Sequence, residues 1–167
     1  MDRHNQTHND IKPQNFLVKF KNNKMDLDQI EIVLTDFGMA DPDSKGGTPI
    51  FASPECFETK DKKSDVFSFG RVILFVLLSK KLFLKCLFVP IKNEIYNETN
   101  ATVNLVSQMT SLYNRISLDS ARSLFDQLRK KSQFKFDKDV ITKFETIIEN
   151  EISNDYNVYV DELCDFR

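Results

Sequence analysis

Between Thr35 and Pro54 the chain holds three of its four glycines and three of its five prolines. That composition dictates an irregular loop, and it separates two kinds of segment. Ahead of it, Leu17, Val18 and Phe20 read as a short strand and Ile30 to Leu34 as a second. The polar stretch from Lys21 to Gln29 joins them, so the pair predicts a hairpin with a long turn. Behind it, Ser64 to Ser79 is apolar on nearly all sides, the pattern of a buried helix. Residues 92–101 are polar and Asn-rich, a connection. Val103, Val106, Met109 and Leu112 then recur at three-residue steps, and Asp119, Ser120 and Ala121 open a further helix through about Lys131. Val140, Ile141, Phe144, Ile147 and Ile148 form a helical stripe. Tyr156, Val158 and Val160 alternate weakly. The expected class is mainly α (α+β), with one small β-hairpin.

Composition bounds what such a chain does. With 167 residues, 41% of them hydrophobic and 29% charged, it is expected to form a single domain with its own core. The net charge of -2 hides an asymmetry, because residues 137–167 carry nine acids against three bases. This balance leaves no footprint for nucleic acid or acidic lipid, and the acidic tail reads as a solvated helix face. Cys56, Cys86 and Cys164 are odd in number and lack metal-ligand spacing, which fits a reduced, intracellular and cytoplasmic setting. The most apolar run, Val72 to Leu78, is far shorter than the roughly 20 residues that cross a bilayer. A polar stretch from Asp2 to Asp10 gives no signal peptide.

Three runs carry the chemistry: His8-Asn9-Asp10-Ile11-Lys12-Pro13-Gln14-Asn15, then Asp36-Phe37-Gly38, then Gly47-Thr48-Pro49-Ile50-Phe51-Ala52-Ser53-Pro54-Glu55. In this order they resemble the catalytic loop, metal-binding turn and activation segment of eukaryotic protein kinases. Two later runs extend the resemblance, Asp65-Val66-Phe67-Ser68-Phe69-Gly70 and Asn114-Arg115-Ile116-Ser117-Leu118-Asp119. The resemblance implies phosphoryl transfer from ATP with Mg2+ to a Ser/Thr hydroxyl of a protein substrate. It makes Asp10 the base that orients the substrate hydroxyl and sets Lys12 against the transferring phosphoryl group. Asn15 and Asp36 become the Mg2+ ligands, oxygen donors of the type this ion takes. Lys12 and Thr48 are choices of the serine/threonine branch, with Thr48 bonding to Asp10 and Lys12. Framework roles fall to His8, Phe37 and Gly38, to Asp65 as acceptor of backbone N–H groups of the catalytic loop, and to a Glu55–Arg115 ion pair.

Departures from the family pattern qualify this. Asn9 stands where an arginine commonly receives an activation-loop phosphate, so activity should not depend on that modification. Phe67 stands where tryptophan is common, and the stretch from Leu82 to Val103 is short. The expected assignment is the C-terminal lobe of the protein kinase-like fold, with the N-lobe absent: residues 1–125 as a partial catalytic domain and 126–167 as a helical, acidic extension covering apolar surface. Gly38, Gly47 and Gly70 lie in the runs above and Gly46 adjoins Gly47, leaving none for a phosphate-covering loop. On this reading the isolated chain is inactive, and Val72 to Leu78 exposes apolar surface to a protein partner. Two functions follow: a Ser/Thr kinase lobe active when completed by an N-lobe, or a catalytically inactive remnant acting as a protein-binding module.

Overall fold

A computed structural model describes residues 7–20, 30–40, 46–57, 62–80, 83–84, 100–112, 114–131 and 137–151, with residues 57 and 147–151 described by backbone alone. The expected turn at 21–29, most of the 92–101 connection, Cys86, Cys164 and the alternating residues 156–160 lie outside them.

Strand β1 (Phe16–Phe20) pairs antiparallel with β2 (Ile30–Leu34), in a register that sets Phe16 opposite Leu34 and Phe20 opposite Ile30. Only the open end of this ribbon, away from the connection between Phe20 and Ile30, reaches the interior. Phe16 and Leu34 pack against the core, while Leu17, Val18, Phe20, Ile32 and Val33 are exposed. A two-stranded ribbon has little stability of its own, so its attachment at Phe16 and Leu34 holds it in place.

Helix α1 (Lys62–Leu77) buries Val66, Phe67, Gly70, Val72 and Leu74 along its length. Against it packs α2 (Ala101–Thr110), whose first turn is capped by Asn100, the side-chain oxygen accepting from the amides of Thr102 and Val103. The two helices approach closely at Gly70, where an added Cβ would come within 2.7 Å of Thr110 Cγ2. Helix α3 (Leu118–Lys130) starts at the Ser117 cap and is amphipathic, resting on the second core cluster through Ala121, Leu124 and Leu128. Helix α4 (Lys138–Glu151) inserts Val140 and Phe144, both fully buried, into the main core beside Leu74, Val103 and Val106.

The periodicity located α1 to within two residues at each end, but Leu112 does not continue α2. The helix stops at Thr110 because Ser111 takes an extended conformation and gives its carbonyl to Arg115 Nε at 3.0 Å. Nor does Val72 to Leu78 lie open as a whole. Val72, Leu74 and Leu78 are buried with Phe51, Phe83, Val103 and Val106, leaving Phe75 and Val76 exposed. Among the described residues no helix is long and apolar enough to cross a membrane.

Candidate active site

The site is assembled where the loop of residues 8–15 meets the start of β1, the end of β2 and the segment from Gly46 to Phe57. A helical turn at Pro13–Asn15, with the proline at its first position, folds the loop back on itself. Asn15 then ties the two strands' inner ends together: its carbonyl accepts from Thr35 N at 2.8 Å and from Thr35 Oγ1 at 3.1 Å. This brings Thr35 and Asp36, distant in sequence, up to the loop.

Asp65, in the first turn of α1, anchors the loop from beneath. Its carboxylate accepts from two successive amides, His8 N at 2.7 Å and Asn9 N at 2.9 Å. Burial raises the Asp65 carboxyl above its ordinary value, and these two N–H groups only partly oppose that. Above the anchor, the buried His8 ring accepts from Asp10 N on Nδ1 at 3.3 Å. Nε2 is therefore the protonated nitrogen, donating to Thr35 O at 2.9 Å. The same ring lies 4.7 Å, centroid to centroid, from Phe37.

Asp10, Lys12 and Thr48 form a closed triangle. Asp10 Oδ1 accepts from Thr48 N at 2.9 Å and from Thr48 Oγ1 at 2.7 Å. Lys12 Nζ sits 2.7 Å from Asp10 Oδ2 and donates to Thr48 Oγ1 at 3.0 Å. Burial pushes the Asp10 carboxyl up, but the hydrogen bonds from Lys12 and Thr48 outweigh it and hold the group below its ordinary value. Asp10 is thus an anion at neutral pH. Gly47 makes the triangle sterically possible: its φ is +150°, and a Cβ there would meet the Asn9 carbonyl at 2.5 Å.

Asn15, bonded to Asp10, and Asp36, next in sequence to the Thr35 that Asn15 holds, offer oxygen donors. Asn15 commits its amide nitrogen to Asp10, donating to the carbonyl at 2.8 Å and to Oδ2 at 3.4 Å, which leaves its Oδ1 as the free donor atom. Asp36 is exposed and in the left-handed region, φ 63° and ψ 68°, with Oδ1 accepting from Gly38 N at 3.4 Å. One amide oxygen and one largely free carboxylate suit a hard divalent cation that keeps other ligands from phosphate and water.

Glu55 and Arg115, sixty residues apart, form an ion pair that closes the far end of the segment. Arg115 is 7% exposed and fully engaged, donating also to Lys63 O and Ser111 O, each at 3.0 Å. Its guanidinium lies 4.6 Å over the Phe67 ring. Burial raises the Glu55 carboxyl, while Arg115 lowers it further, with a net shift downward.

The geometry therefore brings together Asp10, Lys12, Asn15, Asp36 and Thr48, with His8 and Asp65 beneath, and sets Glu55 and Arg115 apart as a structural clasp. Residue patterns alone did not reveal the work of Asn9. It is 6% exposed, has φ 63°, and donates from Nδ2 to Met39 O at 3.0 Å. The available signal was its residue type, since asparagine tolerates the left-handed region better than most.

Comparison with known proteins gives a consistent picture. A family model described as the protein kinase domain matches residues 1–155. The carbon catabolite-derepressing protein kinase of Candida tropicalis is 33% identical over 113 residues, covering 59% of this chain and 17% of that protein. An Acanthamoeba polyphaga mimivirus protein described as "Putative serine/threonine-protein kinase/receptor" is 35% identical over 96 residues, covering 53% of this chain and 5% of that protein. The chain thus spans only a small part of these curated relatives. No solved structure matches it significantly.

Proposed function

The chain belongs to the protein kinase family, and we propose that it is the C-terminal catalytic lobe of a serine/threonine kinase, transferring a phosphoryl group from Mg-ATP to a protein Ser/Thr hydroxyl when an N-lobe completes it. The observation that carries this reading is the Asp10–Lys12–Thr48 triangle, with Asn15 bonded to Asp10 and, through its carbonyl, to Thr35 next to Asp36. Residues 1–125 form the partial catalytic domain on this reading, with 126–167 as its helical extension.

The donor atoms described fit the cofactor. Asn15 Oδ1 and the Asp36 carboxylate would hold Mg2+, and Mg-ATP would supply the phosphoryl group with its charge neutralised. The chain's own residues supply position. Thr48 occupies both acceptor directions of Asp10 Oδ1, so the substrate hydroxyl donates to Oδ2. Lys12 Nζ, bonded to Thr48 Oγ1 and paired with Asp10 Oδ2, would set its positive charge against the transferring phosphoryl group. With its lowered pKa, Asp10 orients the hydroxyl and receives its proton late. Both faces of the hairpin expose apolar side chains, Leu17 with Val33 on one and Val18 with Ile32 on the other, which supports docking of a second lobe or protein.

The same exposed apolar side chains also favour the second reading, an inactive protein-binding module. Mg-ATP separates the two. A competent site in the full polypeptide gains stability of RT ln(1 + [L]/Kd), so millimolar Mg-ATP raises its melting temperature and Asp36→Asn removes the rise. A melting temperature indifferent to Mg-ATP favours the binding module.

A further inference from the structure

We propose that Asn9 is a positioning residue whose side-chain amide clamps the far end of the Asp36–Met39 turn, so that consecutive residues of one loop grip both sides of Asp36. His8 holds the near side through Thr35 O at 2.9 Å, and Asn9 holds the far side through Met39 O at 3.0 Å. Between these points the other described contacts of the turn are the His8–Phe37 ring pair, 4.7 Å between centroids, and two local bonds. Asp36, Phe37 and Gly38 are exposed, and the local bonds are Gly38 N to Asp36 Oδ1 at 3.4 Å and Ala40 N to Phe37 O at 2.9 Å.

Three features show why asparagine serves here. The backbone at residue 9 is left-handed, φ 63°, which a short polar side chain tolerates and a β-branched or long one resists. Both neighbouring backbone groups are fixed: Asn9 N donates to Asp65 Oδ1 at 2.9 Å, and the carbonyl lies against Gly47 so closely that no Cβ fits there. The side chain is therefore aimed by a rigid backbone. Its amide orientation is also unambiguous, because flipping it would set Oδ1 against the Met39 carbonyl. Oδ1 has no hydrogen-bond partner among the described residues, so Nδ2 carries the contact. A neutral amide bonded to a backbone carbonyl needs no added phosphate to form this clamp. That Asp36 then holds a metal rests on the proposed function; the clamp itself does not.

The test is hydrogen exchange of the full polypeptide carrying this chain, comparing wild type with Asn9→Asp and Asn9→Gly. Aspartate keeps the size and left-handed tolerance but turns an acceptor toward Met39 O; glycine keeps the backbone and deletes the side chain. Losing one buried hydrogen bond should speed exchange of the 36–40 amides about tenfold in both variants, with amides of α1 and α2 unchanged. Unchanged exchange at 36–40 in the glycine variant, or uniform acceleration across α1 and α2, overturns the proposal. In parallel, the Mg2+ concentration for half-maximal transfer to a Ser/Thr protein should rise at least about fivefold in Asn9→Gly, as expected when one ligand loses its hold. An unchanged Mg2+ requirement also overturns it. A wild-type polypeptide that transfers no phosphate defeats the proposed function instead, and the exchange data still decide the clamp.

Discussion

The site and the helical core are held by opposite means. In the site and its clasp the bonds are polar and span long sequence distances: Thr48 reaches Asp10 across 38 residues, Asp65 reaches His8 across 57, and Arg115 reaches Glu55 across 60. In the core, Leu74, Val103, Val106, Val140 and Phe144 are held by apolar burial, with no polar atom of their side chains to satisfy. Hydrogen bonds require particular atoms at particular distances, whereas burial requires mainly volume and pattern. The site should therefore fail on isosteric changes and the core should tolerate them.

The largest effect should come from Asp10→Asn, which keeps shape and removes the anion. Transfer by the full polypeptide should fall by about 10²- to 10⁴-fold, while α1 and α2 exchange as in wild type; a variant with more than half the activity would break the contrast. Next comes Arg115→Met, similar in length but uncharged. It strands Glu55 and two carbonyls, and denaturant titration should show a loss of about 3–5 kcal/mol. Within the core, Leu74→Met should cost less than about 1.5 kcal/mol, and Leu74→Ala about 2–5 kcal/mol. If Leu74→Met cost as much as Arg115→Met, the distinction between the regions would vanish.

The smallest effect is in the pH dependence of stability, and its sign differs between carboxylates. Asp10 and Glu55 have lowered values, so the stability they contribute is present above about pH 4 and lost as pH falls through their folded-state values. Asp65 is raised by burial, so its contribution is present at low pH and lost as pH rises from about 4 through its folded-state value. Glu55→Gln should flatten the acid limb of a stability-versus-pH curve, and Asp65→Asn the limb above it. A Glu55→Gln curve with the wild-type acid limb would refute the first.

This division also explains what could be read from the residues alone. Helix α1, the strands and the Val140–Phe144 stripe were visible because burial imposes a period. Asp10, Lys12, Asn15, Asp36 and Thr48 stood out because the chemistry implied by the resemblance needs those side chains. The end of α2 was hidden, since Ser111 leaves the helix to serve Arg115, a contact no periodicity records. Nor could Asn9 be placed: its contact is with a backbone carbonyl, and every residue offers one of those. Phe67, stacked under Arg115 and 5.1 Å from the Arg71 guanidinium, was seen only as an unusual aromatic.

The central claim is that Asp10, Lys12, Asn15, Asp36 and Thr48 form a working phosphoryl-transfer site. The most direct measurement is transfer of labelled γ-phosphate from Mg-ATP to a generic basic protein by the full polypeptide carrying this chain, followed by phosphoamino-acid analysis. The account predicts phosphoserine and phosphothreonine, both abolished by Asp36→Asn. No transfer by wild type, or transfer that survives Asp36→Asn, would contradict it.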